Sequence, residues 1–205
     1  TEEVTFTNAT DKATLAGTLS YPTDYKKGKT PVVLMVTGSG QENRDEEVFG
    51  HKPFLVIADY LARHGVASLR YDDRGFGKSI GGDVKHATTA DFARDAASGI
   101  EFLRTLKCFS KVGVLGHSEG GSIAFMLGAK GKVDFIISMA GIGVRGDTAL
   151  TAQANRLLEL SGQPMRLSTL QYHVNAYMKK SPWLNFFMDY DPSDDITKTL
   201  CPVMA

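Results

Sequence analysis

With 205 residues, 42% of them hydrophobic, the chain is long enough for one domain with a substantial core, or at most two small ones. Its 23 lysines and arginines balance 23 aspartates and glutamates; with no basic surplus to neutralise phosphates, no nucleic-acid partner is expected. The longest apolar runs, "PVVLMV" and "FIISMAGIGV", are too short to cross a bilayer, and neither end reads as a signal peptide. The compartment stays open between cytoplasm and export after signal removal. Cys108 and Cys201 stand far apart and in no metal-like spacing. Two buried thiols are expected, with a disulfide as the alternative.

The alternating stretches "EVTFTN" and "TLAGTLSYP" predict an opening antiparallel pair with one buried face. After Pro31 the pattern changes. "PVVLMVT" (31–37), "VASLRYD" (66–72), "KVGVLGH" (111–117) and "VDFIISMAG" (133–141) are near-continuous apolar runs, as in strands covered on both faces. Between them, "PFLVIADYLARHG" opens on Pro53, suited to a first helical turn, and closes on Gly65, suited to a C-cap. In 91–107, Phe92, Ala96, Ile100, Leu103 and Leu106 make one apolar stripe at helical spacing, with Thr88 and Asp91 in capping-box spacing before it. Residues 119–130 form a third helix. This alternation predicts an α/β architecture: a mostly parallel sheet flanked by helices, with right-handed crossovers.

From Asp147 to Tyr190 the alternation breaks. Residues 147–190 are read as a helical lid insertion over the strand ends, set into a core of 1–146 and 191–205. Its stripe of Leu167, Leu170, Val174, Tyr177 and Met178 is expected to serve as helix-packing core, and an aromatic cluster of Trp183, Phe186, Phe187 and Tyr190 follows. "DITKTLCPVMA" predicts a short helix running into another buried strand.

Gly116-His117-Ser118-Glu119-Gly120 fits G-x-S-x-G. At roughly 7% glycine and similar serine usage, chance alone gives the pattern in about one chain in fifteen of this length, so its context carries the weight: a strand ends at Leu115 and a helix begins at Glu119. A sharp turn there lifts the serine oxygen clear of the backbone and holds Ser118 in a strained region of φ/ψ space. The flanking residues then approach so closely that only small ones fit, which Gly116 and Gly120 satisfy. The Glu119 N–H is placed to stabilise a tetrahedral oxyanion.

With these residues the chain resembles the α/β-hydrolases, and within them the esterase and acyl-peptidase-like (dipeptidyl-aminopeptidase-like) branch, over essentially its whole length. The resemblance implies an α/β-hydrolase fold with Ser118 as nucleophile, and places "VTGSGQENRD" (36–45) as the oxyanion loop. Thr37 stands where many relatives have histidine. By analogy the second donor is the Ser39 N–H, with Gly38 and Gln41 as alternatives. "YDDRGFGKS" (71–79) resembles the loop after the fourth strand, where Asp72, Asp73 and Arg74 are expected to form loop-stabilising ion pairs. Its "GFGKS" is no phosphate loop, because Asp72 replaces the first glycine and no helix follows. No cofactor and no metal site are implied.

A serine needs a general base, and in this fold the order is serine, acid, histidine. His51, His64 and His86 precede Ser118; His117 adjoins it and is expected to point away; His173 is expected to be solvent-exposed. The resemblance places the acid just beyond the strand that begins "CPVMA" and the histidine one strand later. The chain is therefore expected to be an inactive fragment of a longer hydrolase lacking the last strand and helix, with a second polypeptide or a copy of itself covering the open sheet edge. The alternative is a hydrolase-fold protein without a triad. The leading reading is a serine esterase acting on a small acyl ester. A thioesterase, acyltransferase or aminopeptidase of the same branch is the second, and a non-catalytic binding domain the third.

Overall fold

The computed structural model describes residues 1–205, the side chain of Ala176 apart. Strands β1 (Glu2–Asn8) and β2 (Ala13–Ser20) form the opening antiparallel pair. They are followed by β3 (Val32–Val36), α1 (Pro53–Arg63), β4 (Ala67–Tyr71), the two-residue β5 (Ile80–Gly81) and α2 (Thr89–Thr105). Then come β6 (Val112–His117), α3 (Glu119–Ala129), β7 (Ile136–Met139), α4 (Gly146–Leu160), α5 (Thr169–Tyr177), α6 (Pro182–Asp189), α7 (Ser193–Lys198) and β8 (Val203–Met204). The sheet order is β1-β2-β4-β3-β6-β7-β8, with β5 paired to β2. Pairing is parallel from β4 through β8 and antiparallel around β2.

β3 shows why the central strands read as unbroken apolar runs. Val32, Leu34 and Val36 join the core beneath α2 and α3, while Val33 and Met35 join a smaller core beneath α1. Every residue of the strand is therefore buried. The chain leaves β3 for β4 on one side and returns to β6 on the other, and crevices at such reversals lie beyond the strands' carboxyl ends. The turns after β3, β4, β6 and β7 all open there.

Local chemistry sets the helix starts. Asp91 accepts the Thr88 backbone N–H at 2.8 Å and its hydroxyl at 2.6 Å, which ties the first turn of α2. Gly65, at φ +80°, closes α1. On α2, Ala93, Ala96, Ile100 and Leu103 are buried, whereas Leu106 lies beyond the last turn and is exposed.

The segment of α4, α5 and α6 departs from the expected packing. Its stripe faces solvent: Leu170 is 73% and Met178 76% exposed, and Val174 and Tyr177 are exposed as well. The aromatic residues of α6 divide by helical spacing instead. Trp183 and Phe187 lie toward the strand ends, their rings 5.6 Å apart, while Phe186 and Tyr190 pack on the main core. The segment is closed at its base, where the Gly146 N–H donates to Tyr190 O at 3.0 Å. A side chain at Gly146 would meet Phe187 O at 1.8 Å, so α4 and α6 touch through backbone. Cys108 and Cys201 are unpaired and partly exposed, rather than buried or bridged.

Candidate active site

β6 runs directly into α3 through Ser118, which sits at φ 52°, ψ −113°. That is a sparsely populated region for a residue with a side chain, stable only where the surroundings over-determine it. They do so here. The Ser118 N–H donates to Met139 O at 2.9 Å, and Ser118 O accepts from the Gly121 N–H at 3.0 Å. A Cβ on Gly116 would lie 1.9 Å from Gly120 O, and one on Gly120 would lie 2.2 Å from Val36 O. Backbone fills both places, so a side chain fits at neither. The Ser118 hydroxyl caps none of the amides of α3 and lines a cavity of about 560 Å³.

The facing turn, Thr37–Gln41, is held by two carboxylates. Asp73 accepts the Thr37 hydroxyl at 3.1 Å and the Glu42 N–H at 2.8 Å. Burial pushes its carboxyl up to about 8, against the lowering effect of those hydrogen bonds. Glu46, buried and at φ 52°, accepts the Gly38 N–H at 2.8 Å and pairs with His117 Nδ1 at 2.7 Å. The hydrogen bond to Glu46 and its negative charge raise the His117 imidazole above its ordinary value. His117 therefore does not point away from the elbow; its ring lines the same cavity as Ser118.

These bonds sort the candidate donors. The Gly38 N–H is already donated to Glu46, whereas the Gln41 N–H is unpaired like that of Ser39, its side chain being tied to Arg74 O at 3.0 Å. The Ser39 and Glu119 N–H groups make no hydrogen bond to another described residue. Glu119 opens α3, where amides have no intrahelical acceptor. Its side chain behaves differently: 1% exposed, it accepts the Thr89 hydroxyl at 2.6 Å and the Trp183 indole N–H at 2.9 Å. Burial raises the pKa of this carboxyl.

The loop after β4 divides in role. Asp72 holds Arg44 through two side-chain contacts, at 3.0 and 2.9 Å. Arg74, also 1% exposed, pairs with Asp95 at 2.7 Å and with Asp11 at 3.1 Å. Asp73 makes no ion pair and serves the facing turn instead. His173 is half-buried rather than exposed, with Nδ1 3.6 Å from Asp147 Oδ2. No described histidine hydrogen-bonds the Ser118 hydroxyl: His64 bonds Tyr60 O and His86 bonds Asp83. Among the described residues no cluster of three His, Cys, Asp or Glu is arranged to hold a metal ion. No described helix is long and apolar enough to cross a membrane.

A mostly parallel sheet with a strained serine at the switch between β3 and β6 defines an α/β-hydrolase. Residues 52–192 match the family described as serine aminopeptidase, S33, and the chain belongs to it. It is 32% identical over 114 residues to esterase EstD of Thermotoga maritima, covering 55% of this chain and only 27% of that relative's length. Among solved structures, an esterase of Pyrococcus furiosus superposes with a TM-score of 0.69 at 18% identity, over 98% of this chain and 68% of that one. The α/β hydrolase GrgF from a Penicillium species gives 0.64 at 19% identity, over 98% and 78%. At these identities the structures speak for the fold alone.

Proposed function

We propose that the protein is a serine hydrolase that cleaves carboxylic esters through an acyl-enzyme on Ser118. One observation carries the reading: a strained serine whose free hydroxyl shares a cavity with the turn bearing Ser39, beside the unpaired Glu119 amide. Ser118 Oγ attacks the acyl carbonyl carbon and loses its proton to a general base. The carbonyl oxygen gains negative charge and is held by the Glu119 and Ser39 N–H groups. Collapse expels the alcohol, which takes up the proton, and water then releases the acid by the same route. No described histidine hydrogen-bonds Ser118, so the reading names the nucleophile and the oxyanion donors and assigns no base among the described residues. Helices α4 to α6 act as the lid, with Ala149, Leu150 and Phe187 facing the acyl group.

Aminoacyl cleavage is the second reading. It is favoured by the family's description and by the Glu42 carboxyl in the same cavity, which has one oxygen unpaired. A fluorophosphonate probe on the full-length protein tests the proposal. Labelling is expected at Ser118 and lost in Ser118→Ala, together with at least about 10⁴-fold of p-nitrophenyl ester turnover. Faster turnover of aminoacyl nitroanilides would move the assignment to the second reading. A folded protein that takes no label would be a binding domain instead.

A further inference from the structure

The space beside Ser118 is divided. A second cavity of about 490 Å³ adjoins the first, and Ser39 and Trp183 line both. On the far side the lining is mainly apolar, with Val84, Ala87 and Phe92 facing Trp183. We infer that this second cavity is a further substrate subsite, taking an aryl or branched alkyl group past a wall formed by the Trp183 indole. The inference rests on Ser118 being the nucleophile.

The wall is fixed from below. The Trp183 indole N–H donates to Glu119 Oε1, and Glu119 is buried under the elbow with the Thr89 hydroxyl also donating to it. The residue after the nucleophile thus positions Trp183, the wall between the two cavities, which makes Glu119 a positioning residue as well as an oxyanion donor. Two aromatic rings with aliphatic neighbours suit a flat apolar group, which buries a large area at such a surface. No carboxylate lines the second cavity, and Lys85 is the one charged side chain in its lining.

The full-length protein is assayed on methyl 3-phenylpropanoate, with the ring on the acyl side, and on 2-phenylethyl acetate, with the ring on the alcohol side, each against ethyl acetate. Val84→Trp fills the second cavity while leaving Ser39, Glu119 and Trp183 intact. Its ratio of kcat/KM for one aryl ester over ethyl acetate is expected to fall at least tenfold, and the ester that falls identifies the side bound. Trp183→Ala is expected to lower the same ratio. Parallel loss on all three esters, or no change in either ratio, would overturn the subsite. Fluorophosphonate labelling separates the two ideas. Unlabelled wild-type protein ends the Ser118 reading, whereas labelled variants with unmoved ratios end only the subsite.

Discussion

The turns at the carboxyl ends of β3, β4 and β6 and the helical segment above them are built by opposite rules. In the turns, Asp72, Asp73, Glu46, Arg44 and Arg74 each hold named partners, and glycines meet backbone where no side chain fits. In the helical segment, Leu157, Leu160, Leu170 and Met178 face solvent, and ion pairs such as Arg156–Glu159 lie at the surface. It is held to the floor through α6, where Trp183 bonds Glu119 and Phe186 and Tyr190 pack on the main core, while Gly146–Tyr190 and Arg145–Asp189 tie its two ends together. The floor that carries the strained serine is over-determined, while the roof is packed through α6 and leaves α5 and the outer face of α4 to solvent, where little holds them.

That contrast breaks most severely at Gly120. Gly120→Ala places a methyl against Val36 O and Thr37 O and is expected to destabilise by about 3 kcal/mol, read by urea denaturation, with loss of Ser118 labelling. Asp73→Asn acts on the same floor through pH. The Asp73 carboxyl titrates near 8 in the fold against an ordinary 3.8, so the folded state binds the proton more tightly. Its contribution is complete below pH 4 and is lost as pH rises through 8, with a limiting slope of about 1.4 kcal/mol per pH unit. Glu119, Glu42 and Asp95 are raised by burial and add slope of the same sign. The variant should therefore flatten the decline without abolishing it, as measured by denaturation from pH 4.5 to 8.5. The roof gives the smallest effect. Leu170→Ser with Val174→Ser should stay within about 0.5 kcal/mol; a larger loss would mean that the segment packs as tightly as the floor.

How much of this was legible follows from range along the chain. The central strands announce themselves because burial on both faces leaves no polar alternation, and Thr88 with Asp91 marks a helix start through contacts three residues apart. Ser118 was legible because its glycines flank it in sequence. Glu46 was not: its role comes from the meeting of residues 38, 46 and 117, and nothing in "ENRDEEVFG" separates it from Glu42 or Glu47. The Glu119–Trp183 bond spans 64 residues and hid in the same way. The stripe at 167–178 misled for the converse reason. Helical periodicity reports an apolar face, but not whether another element covers it. β5, two residues long, offers no period to read.

The closure of Gly146 on Tyr190 has a consequence for how such proteins diversify. The stretch from Gly146 to Tyr190 leaves the sheet and returns at neighbouring atoms, so β8, which follows it, does not register its length. Helices at this place can be exchanged, shortened or elaborated as a cassette while the chemistry below stays put. Trp183, together with the core-facing Phe186 and Tyr190, is then what an exchanged cassette has to match if it is to dock on an unaltered elbow.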